Sequence, residues 1–411
     1  MSVGIVAGGR ERSWVLGLVS AGHFYSHFVM LCLPPVFLAM KQDLDASFAA
    51  VGSVMAALNA TSGIGQIPMG FLVDRFGGRR VLTTGIALMG LCLALVGLTT
   101  AYWQLLVLFA VAGIGNSVFH PADYAILNAR VDRGYFGRAA SVHTFAGYLG
   151  WTAAPPTMLA LSYHANWRIA VATVGVAGLC IALAMLRRGR LLDDLAPDSQ
   201  LTDVAPKERA TLADGFRLMR SLPMAMMFAF FALTAAATIG LMAFSAVALV
   251  ALDRLDAFFA NTALTAHLFA SACGVLIGGC LADRTDRHNL VTSLSILAMA
   301  AAVAALSIGG LPGALVFLLM AASGLFYGIS SPSRDVIVKA VTPPGSMGVA
   351  FGFTATGLSL GNTVSPTLFG WVMDMNRPAL VFALVAVVIA GSVATVVLTR
   401  HDAGSEKPRP A

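Results

Sequence analysis

Charge is scarce in this chain. Of its 411 residues, 11 % are Asp, Glu, Lys or Arg and 58 % are hydrophobic, whereas an ordinary globular chain carries about 25 % charge. So small a polar supply excludes a soluble fold. Glutamate is rarest: Glu11, Glu208 and Glu406 all fall outside the apolar stretches. A Gly-rich phosphate loop, an HExxH pair, a nucleophile elbow and a mid-membrane pair of carboxylates are all missing. Their absence argues against an enzyme, and with no nucleotide-binding domain in the sequence ATP is not expected to drive it. The five cysteines (Cys32, Cys92, Cys180, Cys273 and Cys280) lie inside apolar stretches and form no CxxC pair. They read as small packing residues. The strand-like alternation of a membrane barrel is missing too.

What is present is a series of long apolar runs. Each is long enough to cross a hydrocarbon core of about 30 Å, and in lipid a backbone must satisfy itself as helix. Twelve spans are predicted: 14–40, 47–72, 79–99, 103–129, 139–162, 167–187, 222–251, 257–280, 289–309, 312–333, 346–372 and 377–399. The first is too long for a signal-peptide core and reads as a retained helix. The formal charge of +6 fits a topology signal better than nucleic-acid binding. With twelve spans, only Lys41, Arg168, Arg254 and Arg377 of the 26 basic residues fall on one side. The other side, holding both termini and the central loop, is predicted to be cytoplasmic.

The chain also repeats itself. Adding 211 carries Gly113 onto Gly324, Pro121 onto Pro332, Gly137 onto Gly348, Gly150 onto Gly361 and Pro155 onto Pro366. Two related halves in an apolar chain predict a secondary transporter with its substrate site between them. The predicted organisation is an N-terminal six-helix bundle (1–187), a cytoplasmic linker (188–221), a C-terminal six-helix bundle (222–399) and a cytoplasmic tail (400–411). Within the linker, 211–220 reads either as a short amphipathic helix on the membrane surface or as solvated chain. Pro155 and Pro366 are expected to bend their helices at matching depths.

The loop after the second span reads Gly70-Phe-Leu-Val-Asp74-Arg75-Phe-Gly77-Gly78-Arg79-Arg80. It resembles the cytoplasmic signature of the major facilitator superfamily, and its degenerate copy is Gly279-Cys-Leu-Ala-Asp283-Arg284. The resemblance covers essentially the whole chain and implies two pseudo-symmetric six-helix bundles working by alternating access. It also implies that Asp74 braces the start of span eleven near 345–348, and Asp283 that of span five near 134–137, when the cytoplasmic side is closed. Gly70, Asp74, Arg75, Gly78, Arg79, Asp283 and Arg284 are thus the expected conformational lock. Phe119-His120-Pro121-Ala-Asp123 and the Ser141–Pro155 segment resemble the fosmidomycin-resistance-like exporters of the superfamily. Many proton-linked exporters carry an arginine where Phe109 stands here, so the coupling arrangement departs from theirs.

The repeat sets Asp123 opposite Arg334, near the cytoplasmic mouth. They are expected either to pair across the halves as an inner gate or to pair locally, Asp123 with Arg130 or Arg138 and Arg334 with Asp335. No aspartate is expected near a span centre. Histidines are: His23 and His27, four apart and so on one helix face, and His267. Such residues at membrane depth are costly and usually line a cavity, and histidine changes protonation near neutral pH. His23 and His27 are candidates for proton coupling or substrate contact, the alternative being hydrogen bonding within the bundle. Two histidines without a nearby acid or cysteine make a poor metal site, and no metal or other cofactor is predicted. His120, Asn116, Tyr148, Trp151, His267 and Asn362 complete the candidate substrate and proton set. An aromatic-lined cavity of this kind suits a mostly apolar organic substrate. The expected function is proton-linked efflux of a small organic molecule by a monomer in the inner membrane, driven by the proton gradient. The alternatives are import or uniport of a metabolite such as a carboxylate, and a non-transporting accessory protein.

Overall fold

The structure is a computed structural model that describes residues 9–132, 135–192, 217–253, 255–343 and 347–403. Much of the expected linker and the end of the tail lie outside these residues, as do Gly134 and Gly345. The chain divides into two compact units, Met1–Val204 and Ala205–Ala411.

The first unit contains α1 (Gly9–Met30), α2 (Phe37–Asp43), α3 (Phe48–Phe76), α4 (Gly78–Leu95), α5 (Tyr102–Asn116), α6 (Phe119–Arg130), α7 (Phe136–His164) and α8 (Trp167–Arg187). The second contains α9 (Leu222–Asp253), α10 (Ala257–Ala282), α11 (His288–Leu306), α12 (Gly313–Ala340), α13 (Met347–Asp374) and α14 (Pro378–Ala403). Ten stretches among the described residues are long and apolar enough to cross a membrane. The 29-residue α7 and 28-residue α13 complete the twelve spans. No strand occurs among the described residues.

Local chemistry explains the breaks. The first span is interrupted after Met30, where Pro34-Pro35 sits in a 3-10 turn before α2, because proline neither donates a backbone hydrogen bond nor tolerates the preceding carbonyl. The fourth span breaks between Asn116 and Phe119, where Pro121 follows the Ser117 carbonyl by four residues. Its repeat partner Pro332 lies inside a continuous α12. Span ten outruns its expected end at 333, because the helix continues through Arg334 and Lys339 to Ala340. Charged residues end an apolar run without ending a helix. Ser47, Asn166 and Asp256 cap α3, α8 and α10 by accepting bonds from backbone N–H groups, as short polar N-cap residues do. Gly77 joins α3 to α4 at φ 84°, a left-handed conformation open to glycine at little cost.

Each unit packs its helices in the same pairs. In the first, α1 lies on α7, α3 on α5 and α4 on α8; in the second, α9 lies on α13, α10 on α12 and α11 on α14. The repeated glycines sit at these contacts. A Cβ on Gly113 would stand 2.3 Å from the Leu58 carbonyl oxygen, and one on Gly150 would stand 2.2 Å from that of Phe24. A Cβ on their partners Gly324 and Gly361 would likewise overlap the carbonyl oxygens of His267 and Ala232. Small residues allow this approach in lipid, where apolar burial supplies little drive between helices. Large apolar side chains such as Leu276, Leu318 and Val387 remain mostly exposed on the bundles. In water such surfaces would aggregate; here they are the lipid face.

Candidate functional site

Three helices of the first unit bring a carboxylate and four imidazoles together. His23 and His27 come from α1, His120 and Asp123 from α6, and His143 from α7. The i, i+4 spacing of His23 and His27 places their ring centroids 4.4 Å apart. The His143 ring is 3.9 Å from His23 and that of His120 is 5.9 Å from it. Gly147, one turn beyond His143, leaves room for them: a Cβ there would stand 2.8 Å from the His23 ring and 2.9 Å from that of His27.

Asp123 is the centre of the group. It is fully buried, with His143 at 1 % and His23 at 5 % exposure. Its Oδ2 lies 3.5 Å from His23 Nδ1 and 3.4 Å from His143 Nε2. Charge-assisted hydrogen bonds run at about 2.7–2.9 Å, so neither approach is a formed bond. Both Asp123 oxygens, His23 Nδ1, His27 Nδ1 and both His143 nitrogens are buried without a hydrogen-bond partner. A buried polar atom left unmade costs about 1–3 kcal/mol. Six such atoms in one place do not stabilise the fold, and they single this cluster out as the candidate site. His120 is exposed and His27 half-buried, so the cluster reaches from a closed interior to an accessible surface.

Aromatic and amide side chains extend the site. Trp151 lies 4.3 Å from the His27 ring, with Tyr148 edge-on to Trp151 at 5.5 Å. Asn116 accepts from Ser26 Oγ at 2.6 Å and donates to Ser62 Oγ at 2.9 Å, tying α1, α3 and α5 together. It is a satisfied packing residue. Pro155 in α7 and Pro366 in α13 lie inside their helices at positions equivalent by the repeat, one turn after Trp151 and Asn362, and bring no N–H to the helical ladder.

The other expected residues fall elsewhere. In the second unit His267 is fully buried and its Nδ1 bonds Ser323 Oγ at 2.8 Å. Asn362 is half-buried. Arg334 pairs with Asp335 at 3.0 Å and stacks over Phe231 at 4.5 Å, the local alternative foreseen for it. Asp74 and Arg75 are exposed, Gly78 is buried and Gly70 has open space around it. Arg79 lies against Gly189 just beyond α8. Asp283 closes α10 as an exposed C-cap followed by Arg284.

Two expectations need correction. Asp123, expected near the cytoplasmic mouth, packs against His23, fourteen residues into α1. Counting residues along one span gives an approximate depth but not the neighbour that packing supplies. The local partners foreseen for it, Arg130 and Arg138, give way to His23 and His143. His143 itself was missed, although it lies within the fifth span four residues before Gly147. That spacing, a histidine one turn from a glycine on an intramembrane helix, was the available signal.

A two-unit bundle of twelve membrane helices with a buried polar cluster is the structure of a membrane carrier. The chain belongs to the Major Facilitator Superfamily, whose family model matches residues 19–260 and 243–411. It is a multi-pass membrane transporter of that family, not an enzyme. It is 22 % identical over 296 residues to the fosmidomycin resistance protein of Escherichia coli K12, covering 71 % of this chain and 70 % of that one. It is 28 % identical over 155 residues to the probable L-galactonate transporter of the same organism, covering 37 % of this chain. That match spans about a third of the relative's length, 34 %. A bacterial homologue of the human lysosomal transporter Spinster, solved inward-facing and unoccupied, superposes with a TM-score of 0.74. The alignment covers 96 % of this chain and 95 % of that one at 17 % identity, which speaks for the fold alone.

Proposed function

We propose that the protein is a proton-linked exporter of a small organic molecule, working by alternating access in the inner membrane as a monomer with both termini cytoplasmic. The observation that carries the coupling is Asp123, wholly buried with two unmade oxygens among His23, His27 and His143. A carboxylate among imidazoles at membrane depth is expensive and belongs on an ion pathway. The exposed His120 connects it to the surface. Trp151 and Tyr148 beside His27 form an amphipathic wall suited to an apolar or weakly polar substrate. The Gly70–Arg80 loop and its copy around Asp283–Arg284 act as cytoplasmic locks, with Arg334 contributing to closure of the second half. Export is the reading that the likeness to the fosmidomycin resistance protein, over 71 % of this chain, supports. The names of other relatives favour a second reading, transport of a sugar-acid carboxylate.

Proteoliposomes with an internal pH dye and an imposed proton gradient separate these readings. Amphipathic drugs are expected to elicit proton movement opposite to their own. Movement with galactonate or glucarate, in the same direction as the proton and without response to drugs, would reverse the assignment. No compound-dependent proton movement at all would remove proton coupling.

A further inference from the structure

We propose that His23, Asp123 and His143 form a binding site for a divalent transition-metal cation. The inference deepens the proposed function, because it rests on the reading that this cluster is kept for an ion. One ligand atom from each residue converges, all within 4.8 Å of one another. The two separations of 3.5 Å and 3.4 Å, from Asp123 Oδ2 to His23 Nδ1 and to His143 Nε2, carry the geometry. They are too long for good hydrogen bonds. They are the right length for two edges of a tetrahedron: ligand atoms on an ion with bonds of about 2.0–2.2 Å stand roughly 3.3–3.6 Å apart.

The unmade groups agree. Both Asp123 oxygens, His23 Nδ1 and His143 Nε2 are buried and bond nothing. A cation would take up Asp123 Oδ2, His23 Nδ1 and His143 Nε2 at once. Three protein ligands leave a fourth position, as in sites that exchange water or ligand rather than closed structural ones. The His27 and His120 rings flank His23 at 4.4 Å and 5.9 Å, and the exposed His120 marks the side of entry.

The donor set selects the ion. Two imidazoles and one carboxylate favour zinc, cobalt or nickel, while magnesium and calcium require oxygen ligands. No cysteine joins the group, which disfavours cuprous ion. The second half carries no counterpart. The repeat puts Ser331 at the place of His120, Arg334 at that of Asp123 and Thr354 at that of His143, so one site per chain is expected.

Cobalt(II) titration of the tag-free, full-length protein in detergent reads the site directly. The expected result is one cobalt per chain with the intense visible bands of a tetrahedral nitrogen–oxygen site, displaced by zinc and not by magnesium. Asp123→Asn and His143→Gln are each expected to weaken binding by more than about tenfold. His164→Ala and His288→Ala, outside the cluster, are expected to leave it unchanged. Absence of the tetrahedral bands in the wild type would overturn the proposal, whatever the variants do. So would binding equal in the wild type and in both cluster variants, shown folded by unchanged elution on size-exclusion chromatography. Neither readout uses transport. Cobalt binding by the wild type, together with normal proton-linked flux in Asp123→Asn, would sink the coupling role and leave the metal site. Flux lost in Asp123→Asn with no cobalt bound by the wild type would do the reverse.

Discussion

At the scale of the residue, the chemistry is concentrated on one carboxylate. Asp123 is fully buried, and its position between His23 and His143 follows from packing of α6 and α7 against α1. His143→Leu replaces a polar side chain whose nitrogens make no hydrogen bond. It is therefore expected to leave thermal stability unchanged or raised while abolishing transport; unchanged transport would show that His143 only fills space. Gly147 sets the spacing of the rings. A methyl group there would press on His23 and His27 at 2.8–2.9 Å. Gly147→Ala is expected to cut the transport rate several-fold at near-normal stability, measured as initial flux beside a melting curve. Full-rate transport would mean that the rings yield without consequence.

At the scale of the element, the repeated glycines are the contacts that hold helix pairs together. Gly150 and Gly361 each bring a helix against a neighbouring carbonyl, where no side chain fits. Overpacking of this kind costs about 1–3 kcal/mol. Gly150→Ala and Gly361→Ala are both expected to lower the melting temperature in detergent, and an unchanged melting temperature for either would contradict so close an approach. The polar ends matter less. Asp43 accepts from Trp167 Nε1 at 3.0 Å and pairs with Arg168, joining α2 to the start of α8, while Arg168 Nε donates to the Thr99 carbonyl at 2.8 Å. The Asp43–Arg168 pair is partly exposed, and such pairs contribute about 0–1 kcal/mol. Asp43→Asn should therefore shift melting by less than Gly150→Ala, which parallel melting curves would check.

At the scale of the whole molecule, the fold was largely legible because lipid imposes a simple rule. Apolar runs must be helices, so lengths and charges marked all twelve spans to within a few residues apart from the end of span ten. There α12 carries Arg334 and Lys339 beyond the apolar run. The repeat foretold equivalent contacts, and the pairing of α1 with α7 and α9 with α13 repeats them. The site was legible only in part. His23 and His27 stood out because both lie on one helix face. Their meeting with Asp123 and His143 depends on which helices touch, and neither hydropathy nor spacing encodes that. The same repeat shows why the chemistry is one-sided: Arg334 and Thr354 stand where Asp123 and His143 would be, so the halves share a scaffold but not a polar cluster.

The central claim is that the Asp123–histidine cluster couples transport to an ion. Its most direct test compares substrate-dependent proton flux in proteoliposomes of the wild type and of Asp123→Asn, matched for incorporation and melting temperature. The expected result is flux in the wild type and none in the variant, with substrate binding retained. Equal flux in both would contradict the claim and remove Asp123 from the coupling.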